Sequence, residues 1–208
     1  MKIITPSVEI CLPMSGAEML RHVERCGRVC YKSEAKITDT SAEAFVRGLI
    51  KRGHEAVLEH ASLSIKFVCD RGVSHEIVRH RLAAFCQEST RYCNYSKDSF
   101  GSEITVIQPL YLATCSAGFQ IWKQACEAAE DAYFSLLNFG CSPQQARAVL
   151  PNSLKTELYM TADLREWRHF FKLRTSPAAH PQMREVALLA LHELQAAVPV
   201  IFDDCSEV

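Results

Sequence analysis

The strand-like segments of this chain come singly, each fenced by helix signals, and that alternation limits the folds open to it. Leu63, Ile65 and Phe67 alternate with Ser64 and Lys66, which predicts a strand over 62–69 with one wet face. Short β-like runs around Ile3-Ile4 and Val8-Ile10, parted by Pro6, predict the start of a sheet. Residues 157–161 predict a further strand.

Helical spacing fills the rest. Met19, Val23, Cys26 and Cys30 recur every three or four residues and predict a helix over 15–29. Thr40-Ser41-Ala42-Glu43 reads as a capping box opening a helix that buries Phe45 and Leu49 and stops at Gly53. Asp70-Arg71-Gly72 reads as a turn, and residues 73–87 as one helix with Val73, Ile77, Val78, Leu82 and Phe85 on its apolar side. Residues 90–109 have no period and read as a long loop with a short strand at 104–107; ordered loops of that length tend to carry function.

A long helix is predicted over 117–139, followed by Gly140. Ser142-Pro143-Gln144-Gln145 then starts a short helix with proline at its first position, ending at Pro151. Asp163-Leu164-Arg165-Glu166 is a cap with an acid three residues on, opening a helix through Leu173, and a last helix runs from Pro181 to just before Pro199. There is no repeat or low-complexity linker. The expected fold is therefore α+β, a small mixed or antiparallel sheet packed with several helices in a single domain, residues 1–208, rather than a doubly wound sheet.

At 208 residues and 48% hydrophobic, the chain can bury one sizeable core. A net charge of −1 leaves no general basic character, so binding of an anion must come from local clusters. Arginines outnumber lysines 14 to 9, and Arg79, Arg81 and Arg91 fall close together, which suits bidentate recognition of phosphate or carboxylate. Ten cysteines include no CxxC pair, the closest being Cys26 and Cys30, so no metal site is expected. Without an N-terminal signal peptide, reduced thiols in the cytoplasm are the expectation. No apolar run approaches the ~20 residues of a membrane span.

Two superficial motifs fail on spacing. His54 and His60 are six residues apart, which on a helix leaves their imidazoles about 120° apart rather than side by side as in a zinc-protease helix. No GxGxxG and no P-loop is present, so a dinucleotide would be held by something other than a Rossmann turn. His22 and His192 read as ordinary histidines and Cys86 as a core residue.

Ser74 to Arg81 carries three consecutive cationic or titratable side chains, Arg79, His80 and Arg81. Alone these read equally as a solvated face or as groups shared between two anionic ligands. The continuation decides: after Arg79-His80-Arg81 come seven residues, then Ser89, then Arg91 two positions on. That pattern closely resembles the signature of the flavin-dependent thymidylate synthases, the ThyX family. The resemblance extends to Gly53-His54-Glu55, Glu59-His60, Ala146 to Pro151, Leu164 to Arg174 and His180-Pro181-Gln182, in order across most of residues 50–200.

The resemblance implies reductive methylation of dUMP to dTMP, with methylenetetrahydrofolate as carbon donor and NADPH, through FAD, as hydride source. It implies that His54, Arg79, His80, Arg81, Gln87, Asp163, Arg165 and His169 face FAD, and that Glu76, Arg79, Gln87, Ser89, Arg91, Arg147 and Arg174 face dUMP. Ser89 is then a phosphate binder rather than a nucleophile, and Arg174 the catalytic residue that favours ionisation of uracil N3. Asp163 and His169 stand where some relatives have asparagine. Asp163 reads equally as a helix cap, and Arg165 with His169, four residues apart, equally as a polar helix face. A homotetramer with interface active sites is the implied assembly, with neither nucleic acid nor membrane as partner. Two other functions remain open at this point: a flavin-dependent hydroxymethylase of pyrimidine nucleotides, and a nucleic-acid-binding module using residues 73–81 as a recognition helix.

Overall fold

A computed structural model describes residues 1–205, the side chain of Ser99 excepted. In chain order the elements are β1 (Lys2–Ile4), β2 (Ser7–Cys11), α1 (Gly16–Arg28), α2 (Ser41–Lys51), β3 (Ser62–Asp70), α3 (Arg71–Ile77), β4 (Ala84–Gln87), β5 (Thr105–Ile107), α4 (Ala117–Asn138), α5 (Pro143–Ala146), β6 (Lys155–Asp163), α6 (Leu164–Arg174), α7 (Pro181–Ala197) and α8 (Pro199–Phe202). Short 3₁₀ turns join several of them. The strands form a two-stranded sheet, β1-β5, and a four-stranded sheet in the order β2-β3-β6-β4, an α+β architecture as expected. The chain divides into two compact units: Met1–Ser7, Phe67–Arg79 and Cys86–Leu158 in the first, Val8–Lys66, His80–Phe85 and the residues from Tyr159 onward in the second.

In the first unit β1 runs parallel to β5 in the register Lys2↔Thr105, Ile3↔Val106, Ile4↔Ile107. Glu103 and Glu130 hold the N-terminal amino group at 3.1 and 3.0 Å, which fixes the start of β1. Ser116 caps α4 by accepting from the Phe119 amide, and α4 turns Phe119, Cys126 and Tyr133 inward. Ile104, Val106 and Leu154 complete that core beside Tyr95. Gly140, at φ 96°, adopts the left-handed backbone that ends the helix. The expected helix start at Ser142-Pro143 is present, the Ser142 amide donating to Gln145 Oε1 at 2.9 Å.

In the second unit Ser15 and Glu18 form a capping box on α1, whose Met19, Leu20 and Val23 are buried. Glu24 is buried too; its carboxylate takes Arg28 at 2.7 Å and the Ser41 hydroxyl at 2.9 Å, tying α1 to the start of α2. The core of this unit is aromatic, with Trp167, Phe170 and Phe171 of α6 and Phe202 of α8 all excluded from solvent. Met183, Val186, Ala187, Ala190, Leu191 and Leu194 form the buried face of α7.

Several expectations are corrected. The Thr40 capping box does not form, because Thr40 is not extended (φ −119°, ψ 0°) and the Ser41 hydroxyl, not that of Thr40, receives a backbone amide, from Thr38. Asp70-Arg71-Gly72 is a helix start rather than a turn: extended Asp70 accepts from the Val73 amide at 2.7 Å and caps α3. The helix expected over 73–87 ends at Ile77, and Ala84–Gln87 is a strand at the edge of the sheet beside β6. Leu82, placed on the apolar side of that helix, is 76% exposed, and Cys86 is exposed rather than core. Only Val73, Ser74 and Ile77 of α3 are buried, and a short apolar run gains more from ladder pairing than from a helix with nothing left to cover. Cys30 falls in a 3₁₀ turn and is exposed. With α3 ending at Ile77, residues 73–81 supply no recognition helix.

Candidate active site

The first unit gathers the signature residues after β4. Gln87 ends that strand with its amide nitrogen on two buried hydroxyls, Ser74 at 2.9 Å and Thr156 at 3.2 Å. Glu88 follows, clamped by the Tyr95 hydroxyl at 2.9 Å and Lys155 Nζ at 3.0 Å, while its amide donates to the Glu157 carbonyl. Burial pushes the Tyr95 phenol far above its ordinary range, with the Glu88 carboxylate adding to the effect, so Tyr95 stays a donor at any physiological pH.

With both flanks pinned, the chain turns at Ser89, whose carbonyl accepts from Tyr92 and Cys93 and whose hydroxyl accepts from the Arg91 amide. Arg91 reaches Gln144 of α5 at 3.4 Å and lies over the Tyr92 ring. Arg147, one residue beyond α5, donates to Thr90 at 3.2 Å. Ser89, Arg91 and Arg147 are thus brought together around one turn, two guanidiniums beside a hydroxyl and backbone amides, an arrangement suited to a phosphate. Arg79 is exposed just past α3, and Glu76 is half-buried on that helix.

The second unit builds on α6. Asp163 caps the helix by accepting from the Glu166 amide at 2.8 Å. Asp163, Arg165, Arg168, His169 and Lys172 line a cleft of about 960 Å³ with Glu55, Glu59, Leu82 and Asp204. Glu59 pairs with Arg165. Arg168 holds Glu55 and, through both terminal nitrogens, Asp204, whose carboxyl it keeps below the usual carboxylate range. His54 and Arg81 are exposed in the same unit, and neither is among the residues lining this cleft. If the cap at Asp163 carries stability, Asp163→Ala lowers the unfolding free energy of the flavin-free protein by about 1 kcal/mol, read as a shifted denaturation midpoint; an unchanged midpoint contradicts the capping role.

His80, which the resemblance sets against FAD, is buried in the second unit. It is 5% exposed, with Nδ1 at 3.1 Å from Glu166 and Nε2 at 3.0 Å from Nε of Arg174. The rings of His169 and Phe170 close around it at centroid distances of 5.9 and 4.9 Å. Burial, helped by the neighbouring Arg174 and His169 and opposed by Glu166, lowers its pKa. Among the described residues His80, Glu166 and His169 also offer ligand atoms within 4.8 Å of one another, but the Arg174 guanidinium already supplies the cation at His80 Nε2. Glu166 and Arg168 are functional candidates the sequence reading missed; Glu166 read there only as a cap partner, and its sole signal was its place on α6 among residues already suspected.

Comparison with known proteins follows this geometry. The family model described as "Thymidylate synthase complementing protein" matches residues 15–200. A flavin-dependent thymidylate synthase of Geobacter sulfurreducens is 33% identical over 189 residues, covering 88% of this chain and 80% of that protein. Its counterpart in Mycobacterium tuberculosis is 35% identical over 200 residues, covering 88% and 78%. Among solved structures, the UMP/dUMP methylase PolB of Streptomyces cacaoi, bound with 5-Br dUMP, superposes with a TM-score of 0.78 at 23% identity over 98% of this chain and 96% of that one, a likeness of fold. A family match over residues 15–200, in a chain a third identical to such synthases over most of their length, places it in that family: the chain belongs to the flavin-dependent thymidylate synthases.

Proposed function

We propose that this chain methylates dUMP to dTMP, with methylenetetrahydrofolate supplying the carbon and NADPH, through FAD, the hydride. The observation that carries the reading is the turn at Ser89–Arg91 with Arg147 bonded to Thr90 beside it, two guanidiniums gathered at one turn in a chain with no general basic character. Ser89, Arg91 and Arg147 hold the dUMP phosphate, with Gln87, Arg79 and Glu76 completing the nucleotide contacts. Arg174 lies against the uracil ring, where its charge favours the N3 anion. That anion is electron-rich at C5 and attacks a carbon donor directly, so no cysteine thiolate has to add at C6.

The cleft on α6 fits a flavin dinucleotide: its volume lies at the upper end of the ~300–1,000 Å³ of ligand pockets, and Arg165 is held there by Glu59, an exposed carboxylate that a diphosphate can displace. Asp163, Arg165 and His169 are the cleft residues that would hold it. When bound, FAD supplies the redox chemistry.

The two units form one domain in this reading, because the chain crosses between them five times, which no linker-joined pair of domains does. A homotetramer with interface active sites is the assembly that this reading carries. Ten unpaired cysteines support a reducing cytoplasm, and among the described residues no helix is long and apolar enough to cross a membrane.

The test is an anaerobic absorbance trace of the FAD-loaded protein with NADPH. Faster bleaching of the flavin band when dUMP is present supports the reading; no flavin uptake from added FAD refutes it. Arg91→Ala is expected to raise the KM for dUMP by about 10- to 100-fold, since one charge-assisted hydrogen bond contributes about 1.5–3 kcal/mol; steady-state kinetics with an unchanged KM would remove Arg91 from the phosphate site.

A further inference from the structure

We infer that His80 is a positioning residue for Arg174, and that Glu166 sets it by fixing the imidazole tautomer. The hydrogen positions follow from donor chemistry. A guanidinium has only N–H donors, so at 3.0 Å Arg174 Nε must donate, and His80 Nε2 must carry a lone pair. The ring proton then sits on Nδ1, and Glu166 Oε1, an acceptor only, takes it at 3.1 Å. Glu166 and His80 are both buried, so neither bond competes with water.

The relay ends at the residue assigned to the uracil ring, and this inference rests on that assignment. A planar fork anchored through Nε has one orientation, which directs its Nη edge; an unanchored arginine samples many. Both ring nitrogens of His80 are engaged, Nδ1 by Glu166 and Nε2 by Arg174. Among the described residues, the charged and titratable groups that act on the ring belong to α6: Glu166, Arg174 and His169. Burial and Arg174 both hold the ring neutral, and a proton on Nε2 would turn the acceptor of the Arg174 bond into a donor.

The test has a spectroscopic arm and a kinetic arm. Side-chain ¹⁵N NMR of the FAD-loaded protein near neutral pH, with the His80 signals assigned by their loss in His80→Gln, is expected to give a neutral ring protonated at Nδ1. A ring protonated at Nε2, or an imidazolium, overturns the inference. Glu166→Leu is expected to lower kcat about 10- to 100-fold with the KM for dUMP changed less than threefold, as for a misaimed rather than a missing group. Glu166→Gln, whose carbonyl still accepts from Nδ1, recovers most of that loss; equal losses in the two variants overturn the inference. Should Glu166→Leu not fold, the tautomer in the unaltered protein and in Glu166→Gln decides. The NMR arm requires no dTMP formation, so a failed synthase reading and a failed relay give different results.

Discussion

Replacing Arg174 by alanine is expected to leave a folded, yellow protein whose dTMP formation falls by about 10²- to 10³-fold, the cost of removing one preorganised donor from a developing anion. The residue ends α6, after the turns that carry the buried core, and is itself only half-buried, so truncation opens no large cavity. What is lost is a charge held to His80 at 3.0 Å. Because uracil N3 must ionise for C5 to attack, the defect should fall on kcat and should be partly relieved at higher pH, where the ring loses its proton without help. Retention of near-normal activity would remove Arg174 from the reaction.

The largest expected effect on stability is that of Trp167→Ala, about 3–5 kcal/mol. Trp167 is fully buried, its indole N–H donates to the Leu63 carbonyl at 3.2 Å, and its ring meets Phe170 at 5.3 Å edge-on and Phe171 at 6.0 Å stacked. Truncation therefore leaves a large cavity in a molecule whose whole stability is of order 5–15 kcal/mol. The melting temperature should fall by about 10 °C, and α6, which carries Arg165, His169 and Arg174, should loosen with it. Chemical denaturation giving a loss below about 1 kcal/mol would show that this helix is held by something other than its aromatic face.

How far the sequence could be read depended on length and chemistry. The long helices α4 and α7 repeat their apolar positions over several turns and carry serine caps, glycine stops or prolines at their ends, so periodicity found them. Residues 73–87 did not yield to it. Nothing there breaks a helix, and the strand Ala84–Gln87 is four residues long, too short to distinguish from a helical turn by period; its pairing with β6 is a tertiary fact. The turn that gathers Ser89, Arg91 and Arg147 was legible because its spacing is local, Ser89 and Arg91 two positions apart with Arg147 in a recognisable block. The Glu166–His80–Arg174 relay was not, since its bonds span 86 and 94 residues and Glu166 looked like an ordinary cap partner.

The most direct measurement is mass analysis of the nucleotide formed from dUMP, NADPH, FAD and methylenetetrahydrofolate carrying an isotopically labelled methylene carbon. The account predicts dTMP with the label in its C5 methyl group and NADPH consumed in step with it. A labelled hydroxymethyl product, or unchanged dUMP with a fully flavin-loaded protein, would contradict it.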